Sequence, residues 1–229
     1  MKKYKILILF AICFIFMKQV DAFIFYLPLK DKIIFLDAGH GSPDPGSIYI
    51  NIYEKDINLA IVYKLKEELI KQGATVYLTR ENDKDLAGNG DPQRKRSDLY
   101  KRVKMINNSN PDLYLSIHLN SSINTSYHGA QSFYYPINDE NKKIAKTFQK
   151  IFNERINVSV RDKNVKKITD LYMYKIVRKP GILIEVGFLS NANERKLLQQ
   201  EDYQTRLAQL MTTAAIDYFE NKKIMNKTK

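Results

Sequence analysis

The three histidines of this 229-residue chain stand at positions 40, 118 and 128, and two of them close apolar runs, "KIIFLDAGHG" (32–41) and "DLYLSIHLN" (112–120). Each run reads as a buried strand, and in an open α/β sheet ligands collect at the carboxyl ends of the strands. Two neutral imidazoles delivered to one rim can share a divalent ion, and zinc best suits a nitrogen pair completed by a carboxylate. The acids near the first histidine are Asp37, Asp44, Glu54 and Asp56. Glu54 heads a predicted helix that starts on the same rim, so spacing favours it slightly over Asp56 as the third ligand, although an acid there also stabilises any helix N-terminus. Asp37 is better placed to orient His40 or to hold backbone donors of the turn. His128 precedes Gly129 in a loop and reads as a surface residue.

Glu185 is the most unusual acid. It interrupts "GILIEVGF" (181–188), a run apolar enough to lie buried on both faces. An isolated carboxylate there is costly unless it is paired or linked to a metal, and burial raises its pKa toward the range of a general base. An internal ion pair with Arg102, Arg178 or a lysine is the plainer alternative. Residues 40, 54, 118 and 185 therefore form a possible site of two histidines and two glutamates. They are no local motif: the short zinc helix His-Glu-x-x-His is absent.

The elements that must position these residues follow from periodicity. Strands are predicted at 32–37, 74–80, 112–120, 129–136, 171–177 and 181–188. Helices are predicted at 54–72, where Ile57, Ile61, Leu65 and Leu69 recur every fourth residue and Gly73 supplies the stop, and at 98–107, 140–156, 193–199 and 202–220. Strands alternating with helices imply a single α/β domain, a three-layer α/β/α sandwich around a mostly parallel, mixed sheet of about six strands. The polar stretch 81–97, with its cluster Arg94-Lys95-Arg96, reads as a solvated loop able to contact anionic glycan or a protein partner.

The first residues fall outside that domain. "MKKYK" is followed by 12 apolar residues, Ile6 to Met17, and by small residues up to Ala22. A membrane span needs about 20 apolar residues, so 1–22 reads as a secretory signal cleaved near Ala22, with an uncleaved anchor as the alternative. Residues 23–31 are then a short linker, 32–220 the catalytic domain and 221–229 a basic, frayed tail. The only cysteine, Cys13, goes with the signal, which excludes disulfides and thiolate chemistry from the mature chain. Cleavage removes four lysines and one aspartate and leaves 33 basic and 24 acidic side chains, a net charge of +9. Outside the cytoplasm such charge favours cell-wall polymers and anionic headgroups over nucleic acid.

The sequence also carries a set of words in a fixed order: "LDAGHG" (36–41), "EKDINL" (54–59), "TR" (79–80), "SIHLNS" (116–121), "GAQSFYY" (129–135) and "EVGFLSN" (185–191). Together they span most of the chain, which resembles the zinc-dependent N-acetylmuramoyl-L-alanine amidases of the amidase-3 family. The "DKDLAG" segment (83–88) and the lack of a wall-binding module are most similar to the sporulation and germination amidases of the CwlD type. The resemblance implies that His40, Glu54 and His118 bind one zinc ion and that Glu185 is the catalytic acid/base. Water activated by the metal, its pKa lowered toward ~7, attacks the amide between N-acetylmuramic acid and L-alanine, and Glu185 passes the proton to the departing amine. It further implies peptidoglycan as substrate, an extracytoplasmic location such as the forespore intermembrane space, an activating protein partner, and a role in forming the muramic-δ-lactam of spore cortex needed for germination. Arg80, Asn120 and Asn191 are the expected substrate contacts. One departure stands out: Ser42 occupies a position where the family usually has glycine. The rival readings are a zinc peptidase acting on another cell-wall peptide bond and a wall-binding or partner-dependent module with little activity alone.

Overall fold

A computed structural model describes residues 26–157 and 162–227, so the segment 1–22 read as a signal, with Cys13, lies outside the described residues. The chain forms β1 (Ile33–Ala38), a small antiparallel hairpin of β2 (Ile48–Tyr49) and β3 (Ile52–Tyr53), α1 (Glu54–Lys71), β4 (Thr75–Leu78), α2 (Arg94–Ser109) and β5 (Leu113–Asn120). It continues with β6 (Gln131–Tyr134), α3 (Asp139–Arg155), β7 (Lys166–Lys167), α4 (Tyr172–Ile176), β8 (Gly181–Phe188), α5 (Ala192–Leu198) and α6 (Glu201–Lys227). The main sheet has six strands in the order β4-β1-β5-β8-β6-β7. Strands β4, β1, β5 and β8 are parallel, β6 runs antiparallel to β8, and β7 pairs with β6. The expected mixed, mostly parallel sheet between two helical layers is present.

Side-chain alternation divides the core in two. Ile34, Leu36 and Ala38 of β1, Leu113, Leu115, Ile117 and Leu119 of β5, and Ile182, Ile184 and Val186 of β8 pack with Ile57, Ile61, Leu65 and Leu69 of α1 and with α3 and α6. Phe35, Tyr114 and Leu183 point the other way, onto Val103 and Ile106 of α2 and Met173 and Tyr174 of α4. The same alternation assigns Asp37, Ser116, His118 and Glu185 to this second, thinner side, and each lies toward the C-terminal end of its strand. The first helical layer is thick and dry; the second leaves room for a site.

Several sequence expectations are corrected. Residues 171–177 are no strand: Met173, Tyr174 and Val177 are buried at helical spacing in and just after α4, and the position beside β8 is filled by β6. An apolar run this short does not distinguish the two states by itself. Helix α2 starts at Arg94 instead of Asp98, so the Arg94-Lys95-Arg96 cluster is helical. The hairpin β2–β3 and the short β7 were not anticipated. Residues 26–31, the described part of the expected linker, are anchored at Leu29, which is fully buried and donates its N–H to the Gln72 carbonyl, and α6 continues past residue 220 to Lys227. Among the described residues no helix is long and apolar enough to cross a membrane.

Candidate active site

Three elements converge on one rim. β1 ends at Ala38, and the turn after it brings His40 forward in the left-handed region, φ 63°, followed by Gly41 at φ 138°. β5 presents His118 from its last turn of pleat, and α1 begins with Glu54, which is only 2% exposed. In the parallel register of β5 and β8, His118 stands beside Glu185.

Glu54 holds the two imidazoles together. Its Oε1 lies 3.1 Å from His40 Nε2 and 3.1 Å from His118 Nδ1, and it accepts the Leu119 N–H at 3.0 Å. Its Oε2 accepts the Ser47 N–H at 2.8 Å. Burial opposes ionisation of this carboxyl, but the hydrogen bonds and charge of His118 and His40 outweigh it and hold the group far below the usual carboxylate range. For His40 burial likewise opposes the charged form, and Glu54 and Asp44 overcome it and raise the imidazole's pKa. One ligand atom from each of His40, Glu54 and His118 falls within 4.8 Å of the others, a cluster that could close on a single ion. Asp56, the rival third ligand, instead pairs with Lys55 at the surface.

Two glycines leave the space for this cluster. A Cβ on Gly39 would lie 2.3 Å from His118 Cε1, and one on Gly46 would lie 2.7 Å from Glu54 Oε2 and from His40 Cδ2. No larger residue fits either position beside the donors.

The surrounding polar groups fix the turn. Asp44 Oδ2 meets His40 Nδ1 at 3.0 Å, so the ring-orienting role falls to Asp44 and not to Asp37. Asp37, 1% exposed, accepts hydrogen bonds from Thr79, Ser116 and Arg102. Burial opposes its ionisation, yet Arg102 and the hydroxyl of Ser116 bring its pKa down to about 2. Arg102 in turn donates to the carbonyls of Ala38 at 2.8 Å and His40 at 2.6 Å, while Arg80 donates to those of Ala38 at 2.9 Å and Gly39 at 3.0 Å. Two buried guanidinium groups therefore grip three consecutive carbonyls of the turn that carries His40. Ser42 stays out of the left-handed region that would demand glycine, and its N–H and hydroxyl both bind Asp83, at 3.0 and 2.8 Å. The "DKDLAG" segment thus braces the loop, and the departure from glycine is accommodated.

Glu185 differs from every other acid in the site. Arg102 pairs with Asp37 and Asp98, and among the described residues Glu185 forms no ion pair; its Oε2 is buried with no hydrogen-bond partner. Burial is the main cause that pushes its carboxyl up to about 7, assisted by the charge of Glu54 and opposed by His118 and His40. The ion-pair alternative is therefore absent.

These groups open into a cavity of about 770 Å³, walled on one side by Leu99 of α2 and by Leu171, Tyr172 and Met173 in and just before α4. Of the three expected substrate contacts, Asn120 lines it. Arg80 is 4% exposed with its guanidinium spent on backbone carbonyls, and Asn191 caps α5 and binds the Thr125 carbonyl. Neither faces the cavity. His128 sits in the loop before β6 with Nδ1 on the Ser126 carbonyl, apart from the donor cluster. The α4 wall was missed because its residues were read as strand.

Comparison with known proteins agrees with this geometry. The profile of a family described as N-acetylmuramoyl-L-alanine amidase matches residues 34–217. The chain is 44% identical over 199 residues to the germination-specific N-acetylmuramoyl-L-alanine amidase of Bacillus subtilis (strain 168), covering 86% of this chain and 83% of the relative. Among solved structures it is similar to the CwlD amidase from Clostridioides difficile in complex with the GerS lipoprotein, with TM-score 0.79, 38% identity and coverage of 83% of this chain and 99% of that one. The catalytic domain of CwlV, an N-acetylmuramoyl-L-alanine amidase from Bacillus (Paenibacillus) polymyxa var. colistinus, matches with TM-score 0.70, 31% identity and coverage of 82% and 98%. The chain belongs to the N-acetylmuramoyl-L-alanine amidase family.

Proposed function

We propose that this member of the amidase family hydrolyses the amide between N-acetylmuramic acid and the L-alanine of peptidoglycan stem peptides, with His40, Glu54 and His118 as ligands of one zinc ion and Glu185 as the catalytic acid/base. The observation that carries the reading is the buried, unpartnered Oε2 of Glu185, next to His118 in register and beside three converging metal donors. Zinc held by those donors supplies a Lewis acid for the amide carbonyl and lowers the pKa of water toward ~7. Glu54 contributes fixed negative charge and bridges the two imidazoles, whose rings stand 4.9 Å apart between centroids and 78° between planes. Asp44 fixes the tautomer of His40 through Nδ1. Glu185, poised near neutrality, takes a proton from the attacking water and returns it to the nitrogen of the departing peptide.

The relatives extend the proposal. The similarity to a germination-specific amidase supports action on spore cortex, where peptide removal precedes formation of muramic-δ-lactam. The Clostridioides difficile relative was solved with a lipoprotein, which supports an activating protein partner and a location outside the cytoplasm for this chain too, reached through the segment 1–22 as a signal.

The test is mass spectrometry of muropeptides after digestion of purified peptidoglycan, with and without a zinc chelator. The expected products are free stem peptides beginning with L-alanine and glycan stripped of peptide, both abolished by chelation. Cleavage at a different bond, or release that survives chelation, overturns the assignment.

A further inference from the structure

The basic cluster Arg94-Lys95-Arg96 at the start of α2 takes no part in the reaction described above. Its three members do different things. Arg94 makes a two-pronged pair with Asp85, at 2.7 and 2.8 Å. Arg96 lies over the ring of Tyr172, 5.6 Å from its centroid. Lys95 lines the active-site cavity and, among the described residues, forms no ion pair.

The charges around that cavity can be accounted for one by one. Asp85 is matched by Arg94, and Asp37 and Asp98 by Arg102, while Asp44 and Glu54 lie against the two imidazoles of the metal-donor cluster. Glu185 is held toward its neutral form by burial. The first turn of α2 carries no acid to neutralise its own cations. Among the described residues Lys95 is thus the cation of the cavity wall without an ion-pair partner.

A substrate of the proposed reaction is electrically lopsided. The N-acetylmuramoyl side of the scissile amide is uncharged, whereas the peptide side carries carboxylates, the nearest being the α-carboxylate of the second stem residue when that residue is a γ-linked D-glutamate. We infer that Lys95 is a specificity-determining residue that binds this carboxylate, so that the stem peptide leaves the metal centre toward α2 and α4 while the glycan lies on the side of Ser47, Asn120 and Ser121. The apolar wall of Leu99, Leu171 and Met173 then receives the aliphatic parts of the peptide. This inference rests on the amidase reading and adds which end of the substrate each wall takes.

The test is equilibrium binding to the zinc-loaded full chain carrying Glu185→Gln, which removes turnover. The two ligands are N-acetylmuramoyl-L-alanyl-γ-D-glutamyl-L-alanine, in which the second stem residue keeps a free α-carboxylate while its γ-carboxyl is in amide linkage, and its α-carboxamide counterpart, N-acetylmuramoyl-L-alanyl-D-isoglutaminyl-L-alanine. The acid should bind about five-fold tighter than the amide, as for one partly solvated ion pair. That preference should vanish with Lys95→Ala, reverse with Lys95→Glu and survive with Lys95→Arg. Equal affinity for the two ligands, binding of neither, or a preference that persists in Lys95→Ala overturns the inference. Hydrolysis by the unaltered chain is scored separately: intact ligands there count against the amidase reading, while the acid–amide difference reports on Lys95.

Discussion

Arg102 reaches across from α2 to donate a 2.6 Å hydrogen bond to the carbonyl of His40, while its other nitrogens hold Asp37 and Asp98. The turn that carries His40 in the left-handed region is in this way tied to a buried ion pair. Replacing Arg102 by alanine leaves two buried carboxylates uncompensated and is expected to cost about 3–5 kcal/mol in folding. Arg102→Lys keeps the charge but loses the fork that spans Asp37 and the carbonyls. It should fold and bind zinc about 10–100-fold more weakly, measured by competition with a chromophoric chelator. Unchanged affinity would show that the turn holds His40 without this grip.

Gly39→Ala tests the steric side of the same turn. Gly39 does not have the positive φ that would strain an alanine, so the effect arises from the contact with the His118 ring alone. The added methyl must displace the imidazole or the backbone, costing about 1–3 kcal/mol, and zinc binding should fall at least ten-fold while urea denaturation still reports a folded chain. Parent-like metal binding would refute the close seating of that ring.

His118→Ala and Glu185→Ala should separate metal binding from chemistry. The first removes a donor and is expected to lose both zinc and hydrolysis. The second should retain zinc by elemental analysis and lose hydrolysis by about 10²-fold or more. A Glu185→Ala protein with normal turnover would dismiss Glu185 as the base.

Glu185 also makes a prediction about stability. Its folded-state pKa is raised from 4.5 to about 7, chiefly by burial. A carboxyl raised in this way contributes stability that is fully present below the unfolded value and is lost as pH rises through the folded one. In the metal-free chain, Glu185→Gln should therefore stabilise by up to about 3 kcal/mol near pH 8 and by less than about 1 kcal/mol near pH 5. Denaturant unfolding at the two pH values measures the difference. An equal effect at both would mean that the carboxyl is not buried in its ionised form.

The sequence revealed the donors more fully than their supports. His40 and His118 ended apolar runs, which placed them at the carboxyl ends of strands, and Glu185 broke one, which marked it as a buried acid. The fourfold spacing of Ile57 to Leu69 and the stop at Gly73 located α1, and with it Glu54. Arg80 was legible as a residue near the site but not as a buried one, because nothing in "TR" says that the guanidinium turns inward to the carbonyls of Ala38 and Gly39. Asp44 was one acid among four, and only the folded loop shows it against the His40 ring. Leu171 to Val177 was misread because its apolar residues satisfy a strand or a short helix equally. The choice was made by tertiary packing, with β6 occupying the edge of β8 and leaving α4 to cover Tyr114 and Leu183.

The pairing of His118 with Glu185 across β5 and β8 makes strand alignment a hidden requirement of the proposed chemistry. Slippage by one residue would swap the faces of an entire strand, turning one of the two side chains into the dry layer. Such a misaligned chain could still be well packed and rich in regular structure, yet inert, so bulk spectroscopic signs of folding would not certify a working preparation. Stoichiometric uptake of zinc would certify the placement of His118, and hydrolysis that of Glu185.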